Sequence, residues 1–208
     1  MNLAGLSSSL QEIVKEAAIY LRERLVNLRL RSYLGSKVAV LAMLAVVQAI
    51  FITISILIGF ASPTSDLISW PLGVFITTFL TLTASFSLGL FVSASVNNSS
   101  QANSALPLLL LPQVIFSGVL FELQDTGSII SYFMLSRWAI GAYGTIANIN
   151  KLLPANLTIN SLKDMPFPTG VVYQPTWSNL CFNWIMLLVH ITVYLSITAW
   201  LQKKKDVL

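Results

Sequence analysis

Few groups in this chain could do chemistry. His190 is its only histidine and Cys181 its only cysteine, and both fall in an uncharged apolar stretch from Ser178 to Leu201. An ionisable residue in such a stretch marks function by default, and beside a carboxylate a histidine can relay protons. No Asp or Glu stands within the apolar stretches, so the expected role of His190 is a neutral imidazole bonded to a neighbouring helix, and Asn183 and Gln48 read the same way. Cys181 has no internal disulfide partner and reads as a small apolar residue. The chain contains no G-x-x-x-x-G-K-[ST] phosphate loop, no H-E-x-x-H metal helix and no G-x-S-x-G elbow. Covalent chemistry, and a cofactor or metal of the chain's own, are not expected.

The acids that do stand out are Glu12, Glu16 and Glu23, near the N-terminus. They alternate with Lys15, Arg22 and an apolar series at Leu10, Ile13, Val14, Ala17 and Leu21. That i, i+3, i+4, i+7 spacing predicts an amphipathic helix, and Ser9 followed by Glu12 predicts a capping box at its start. Such a helix either lies on a membrane surface, anchored by its basic residues, or docks a soluble partner. The three acids favour docking, because binding to anionic lipid gains little from them.

The elements that must position this helix follow from charge. From Val38 to Phe121 the chain has one charged residue, Asp66, and across all 208 residues only 10% are charged while 55% are hydrophobic. Mean hydropathy is +0.76. A soluble domain carries roughly 25% charged residues, so the expected fold class is an all-α integral membrane protein. Spans are predicted over 38–60, 70–96, 104–123 and 178–201, each near the ~20 residues that cross a bilayer core. Residues 1–37 form a cytoplasmic amphipathic helix with its connector, 38–208 the transmembrane domain, and 124–177 an outer loop.

Topology follows from the basic residues. Lys15, Arg22, Arg24, Arg29, Arg31 and Lys37 precede the first span, and Lys203, Lys204 and Lys205 follow the last. The positive-inside rule then places both termini in the cytoplasm, with Trp70 and Trp177 at the outer interface and Trp200 at the inner one. The net charge of +4 sits beside spans, so it orients the chain and does not point to nucleic acid. The lipid bilayer is the first partner, and a multi-pass protein of the plasma (inner) membrane is expected.

Within the spans, Ser85, Gly89 and Ser93 at four-residue spacing would let another helix approach closely. The hydroxyls from Thr77 to Ser87 fit packing better than a polar channel, since Thr and Ser can bond their own helix backbone. Pro107 and Pro112 predict a kinked third span. Ile129, Ile130, Phe133, Met134 and Trp138 predict a re-entrant or interfacial helix ahead of the last span. The proline-rich part beyond Lys151 reads as an extended loop, with a glycosylation sequon at Asn156-Leu157-Thr158 that matters only in a eukaryotic secretory route.

Three motifs carry a family resemblance. Glu16, Tyr20, Arg22 and Glu23 fit E-x-x-x-[FY]-x-[RH]-E, and Ser32, Tyr33 and Lys37 fit S-Y-x-x-x-K. Ile115-Phe116-Ser117-Gly118-Val119-Leu120 is similar to I-F-S-G-L-L. Tyr132-Phe133 with Arg137-Trp138 is similar to Y-F-x-x-x-R-[WY]. In this order and spacing they resemble the transmembrane domain of ABC transporters of the G (White) subfamily, over the last four of its six helices.

The resemblance implies the membrane half of an exporter. Its coupling helix would meet an ATP-binding cassette domain through Glu16, Tyr20, Arg22 and Glu23. Leu111, Ile115 and Phe116 would face a translocation cavity at the interface of a homodimer or heterodimer, and Val119 and Leu120 would close it as a plug. ATP and Mg would be bound by the partner domain, so the chain itself would be no enzyme. The apolar lining leans towards amphipathic cargo. Because the first two helices of the family are not in this sequence, a fragment, a separately encoded piece and a truncated gene stay open. A non-transporting membrane scaffold is the alternative function.

Overall fold

The computed structural model of the chain describes residues 2–25, 29–60, 63, 67–119, 125–149 and 173–205. The described residues form helices and no strand: α1 (Asn2–Ser9), α2 (Glu12–Leu25), α3 (Leu30–Gly59), α4 (Trp70–Ser95), α5 (Ser99–Ile115), α6 (Asp125–Ser131), α7 (Leu135–Ala147) and α8 (Trp177–Lys205). Three of these, α3, α4 and α8, are long and apolar enough to cross a membrane. In hydrocarbon a backbone must satisfy its own polar groups, and the helix does this within one segment.

The third predicted span differs from the expectation. The helix runs from Ser99 to Ile115, 17 residues, instead of 104–123. Its early start comes from capping: Asn98 Oδ1 accepts from the Gln101 amide at 2.8 Å, while Gln101 Oε1 accepts from the Asn97 amide at 3.1 Å. Its early stop lies within the I-F-S-G-V-L motif. Ser117 Oγ donates to the Val114 carbonyl, the Val119 amide donates back to Ser117 Oγ, and Gly118 takes φ 79°. A left-handed residue there ends a helix and suits glycine.

The chain forms two compact units. The first comprises residues 1–48, 82–110 and 188–208, with Leu6, Leu10, Ile13, Tyr20, Leu82, Phe86 and Leu90 in its core. The expected small-residue contact on α4 is present, and its partner is α1, a helix the sequence reading did not assign. A Cβ on Gly5 would come within 2.6 Å of Ser85 Cβ, and one on Gly89 would overlap Ser9 Oγ.

The second unit comprises residues 49–81 and 111–187. Ala142, Ile146 and Leu180 are fully buried at its core, packed by Leu67, Ile68, Trp70 and Trp184. Neutral hydrogen bonds tie its helices: Trp184 Nε1 donates to Thr77 Oγ1 at 3.0 Å, Thr78 and Tyr143 share a 2.7 Å bond, and Asn179 Nδ2 donates to Thr145 Oγ1 at 3.0 Å. The threonines of α4 therefore pack, and Thr81 bonds its own helix at Thr77 O. The helical segment expected ahead of the last span is α6 and α7. Trp138 Nε1 donates to Tyr132 O at 3.0 Å, and the Arg137 guanidinium lies 4.3 Å from the Tyr132 ring centroid, so the Y-F-x-x-x-R-W motif closes on itself. Asn148, at φ 48°, ends α7 and donates its N–H to Gly144 O and Thr145 O. The sequon at Asn156 and Pro154, Pro166 and Pro168 lie outside the described residues.

Candidate functional site

The predicted amphipathic helix forms as α2, but it is not capped as the sequence suggests. Ser9 is the last residue of α1, fully buried, and its hydroxyl donates backwards to Gly5 O and Leu6 O. Ser9 is thus part of α1 and turned back along it. Ser93 of α4 caps α2 instead: its Oγ accepts from the Ile13 amide at 3.0 Å and the Val14 amide at 3.1 Å. Those amides are orphans of the first helical turn, so α2 is capped by another helix and pinned where α4 ends.

The charged residues of α2 divide into two sets. Glu12 and Glu16, four residues apart, both bind Lys37 of α3, at 3.0 and 2.6 Å. The Tyr33 hydroxyl makes a long 3.5 Å contact with Glu16. Tyr33, four residues before Lys37, packs its ring on Tyr20 at 4.6 Å between centroids. Tyr20 and Tyr33 are buried, and the Lys37 side chain is only 16% exposed. Thus Glu12, Glu16, Tyr20, Tyr33 and Lys37 form one clamp fastening α2 to the first turns of α3. Arg22 and Glu23, by contrast, lie exposed.

Sequence reasoning grouped Glu16, Tyr20, Arg22 and Glu23 as one contact set; the geometry faces two of them inward and leaves two outward. It missed the roles of Glu12 and Lys37. A signal existed. Glu12 and Glu16 share one helix face, as do Tyr33 and Lys37, and the two faces are complementary in charge.

The second candidate set lies at the end of α5. Leu111 and Ile115 are exposed at 59% and 40%, together with Leu108 and Val114. Phe116 and Val119 are half-buried in the turn that follows, and Leu120 lies outside the described residues. Leu108, Leu111, Val114 and Ile115 make an exposed apolar ridge along α5. Gln113, on the opposite side, is buried and accepts from both Ser136 N and Ser136 Oγ, at 3.0 and 3.1 Å.

Of the intramembrane polar residues, Asn183 is buried, bonded to Asn179 O at 2.8 Å and set against Gly141 of α7. His190 has its ring 5.9 Å from that of Tyr194. Gln48 departs from the expectation: its Oε1 is buried with no partner among the described residues. Among the described residues no group of three or more His, Cys, Asp or Glu could hold a metal.

Comparison with known proteins fits this arrangement. Residues 1–148 match the model of a family described as ABC-2 type transporter. A protein of Mycobacterium tuberculosis (strain ATCC 25618 / H37Rv), described as an ABC transporter ATP-binding/permease protein, is 29% identical over 203 residues. That alignment covers 94% of this chain and 22% of the relative, so the chain spans about a fifth of that protein's length. No solved structure matches.

Proposed function

The chain belongs to the ABC-2 type transporter family, and on that premise we propose that it is the membrane-spanning (permease) part of an ABC exporter of the G (White) type. In this reading α2 is the coupling helix on the cytoplasmic side, both termini are cytoplasmic, and α5 crosses as a fourth span. A separate ATP-binding cassette domain binds ATP and Mg and moves α2. The apolar ridge at Leu111 and Ile115 faces a second transporter half across the substrate path, with Phe116, Val119 and Leu120 at its outer closure.

The observation that carries this reading is the clamp. A docking helix transmits force only if it is fixed to a span. Lys37 joins two carboxylates of α2 to α3, and the Tyr20–Tyr33 ring contact packs the same two helices together. Half-exposed ion pairs of this kind hold about 1 kcal/mol or less each, while coupling between distant sites typically needs ~1–3 kcal/mol. Two pairs, an aromatic contact and the Ser93 cap together reach that range. Arg22 and Glu23 are left outward to meet the cassette.

The test separates docking from transmission. The chain is co-expressed with its ATP-binding cassette partner and purified in detergent. Glu23→Arg should reduce co-purification, because it reverses charge on the outward face alone. Lys37→Met should leave co-purification intact yet abolish substrate-stimulated ATPase activity in nanodiscs. Recovery of the chain without any cassette protein would favour the scaffold role and sink the proposal.

A further inference from the structure

A cleft of about 400 Å³ lies under α2, walled by Ile13, Val14, Tyr20 and Val96 and closed at one end by Gln202 and Lys205 of α8. Its size falls in the ~300–1,000 Å³ range of small-molecule sites, and it combines an apolar body with few polar groups, as such sites do. Gln202, only 3% exposed, is one of the few polar residues lining the cleft. Lys205 reaches a single protein acceptor, Val96 O, at 3.4 Å, and neither it nor Lys203 has a carboxylate partner among the described residues. Lys204, on the same turn, stands over the Trp200 ring at 5.7 Å.

We propose that this cleft binds an anionic amphiphile, its apolar tail against Ile13, Val14, Tyr20 and Val96 and its carboxylate or phosphate head between the Gln202 amide and the Lys205 ammonium. The head gives the Gln202 amide and the Lys205 ammonium, whose protein acceptor Val96 O is 3.4 Å away, an anionic acceptor through charge-assisted bonds, and the tail lies against the apolar part of the wall. The lysines at the end of an apolar helix put the head where a bilayer interface would put it. The shared chemistry, a long apolar chain with one acidic head, belongs both to free fatty acids and to anionic phospholipids. Because the cleft lies directly beneath α2, an occupant would stiffen the helix that the preceding section assigns to coupling. That consequence rests on the transport reading; the binding does not.

The test uses the full 208-residue chain in phosphatidylcholine nanodiscs, without any cassette partner, and dansyl-aminoundecanoic acid as the probe. Saturable fluorescence enhancement is expected for the acid, with its methyl ester binding about tenfold more weakly, the loss of roughly one charge-assisted contact. Ala17→Trp places a large ring in the cleft from an exposed position that folding tolerates, and should also weaken the acid about tenfold. Lys205→Glu should weaken the acid and spare the ester. Displacement by oleate assigns a free fatty acid as the source, and displacement by phosphatidylglycerol in the nanodisc assigns a phospholipid. Displacement by neither, or unchanged affinity in both Ala17→Trp and Lys205→Glu, overturns the proposal. Intact binding with failed cassette docking would overturn only the transport reading.

Discussion

The two compact units hold their helices together by different chemistry. In the first, α2 is fastened to α3 by the Lys37 cation between Glu12 and Glu16. In the second, the polar contacts that fasten α7 to α5 and α8 are neutral ones between amides and hydroxyls: Gln113 with Ser136, Asn179 with Thr145. The difference follows from solvent. Charges are cheap where water still reaches them, and the Glu12 and Glu16 side chains are 38% and 40% exposed. Deep in an apolar bundle a charge costs several kcal/mol, so neutral donors and acceptors do the joining. Charged contacts at water-accessible sites can be remade when a partner pulls; buried neutral ones resist, because separating them strands a polar group.

Four substitutions can break or sharpen this contrast. The largest effect is expected at Gly89. Gly89→Leu drives a side chain into Ser9 Oγ, with an overpacking cost of about 3 kcal/mol. Thermal unfolding in detergent, with limited proteolysis of the N-terminus, should show α1 released from α4; an unchanged melting temperature would refute the α1–α4 contact. Gln113→Leu comes next. It removes the Gln113 Oε1 acceptor of the Ser136 amide and hydroxyl, and should destabilise by about 2 kcal/mol. That loss should be the same at low and high salt.

Lys37→Met is expected to cost about 1 kcal/mol, discounted because both carboxylates are part-exposed. Here salt is the discriminating variable. Wild-type stability should fall slightly as salt rises and screens the clamp, and the variant should lose that dependence. A salt response as flat as that of the neutral contacts would show that the two regions do not differ as described. The smallest stability effect is expected at Glu23→Arg, within about 0.5 kcal/mol, since its side chain is exposed. Its consequence should appear only in cassette co-purification. Glu16→Arg is less informative, because it reverses an outward-reachable charge and breaks the Lys37 clamp in one step.

How far the sequence could be read depended on whether a signal was periodic or relational. The apolar lengths of α3, α4 and α8 and the stripe of α2 were legible, because burial in lipid or against a neighbour imposes composition and spacing on a single segment. The four-residue spacing of Ser85, Gly89 and Ser93 announced a close approach without naming what approaches. The capping box at Ser9 was a local pattern overruled by a distant one, because Ser9 is fully buried and spends its hydroxyl within α1. The end of α5 at Ile115 was hidden because the residues beyond it are as apolar as those before. Only the left-handed Gly118 marks the stop.

By itself the sequence determined that the described residues are helical with helices fit to cross a membrane, that the apolar stretches are almost free of charge, and that an amphipathic helix precedes the first span. Those follow from hydrophobic burial, which depends on what each segment is made of. The tertiary structure decided which charges face inward: Lys37 takes Glu12 and Glu16, Ser93 caps α2, and Gln202 is left to line a cleft. Those depend on the distance between residues far apart in the chain, because an ion pair or a hydrogen bond forms only at close range.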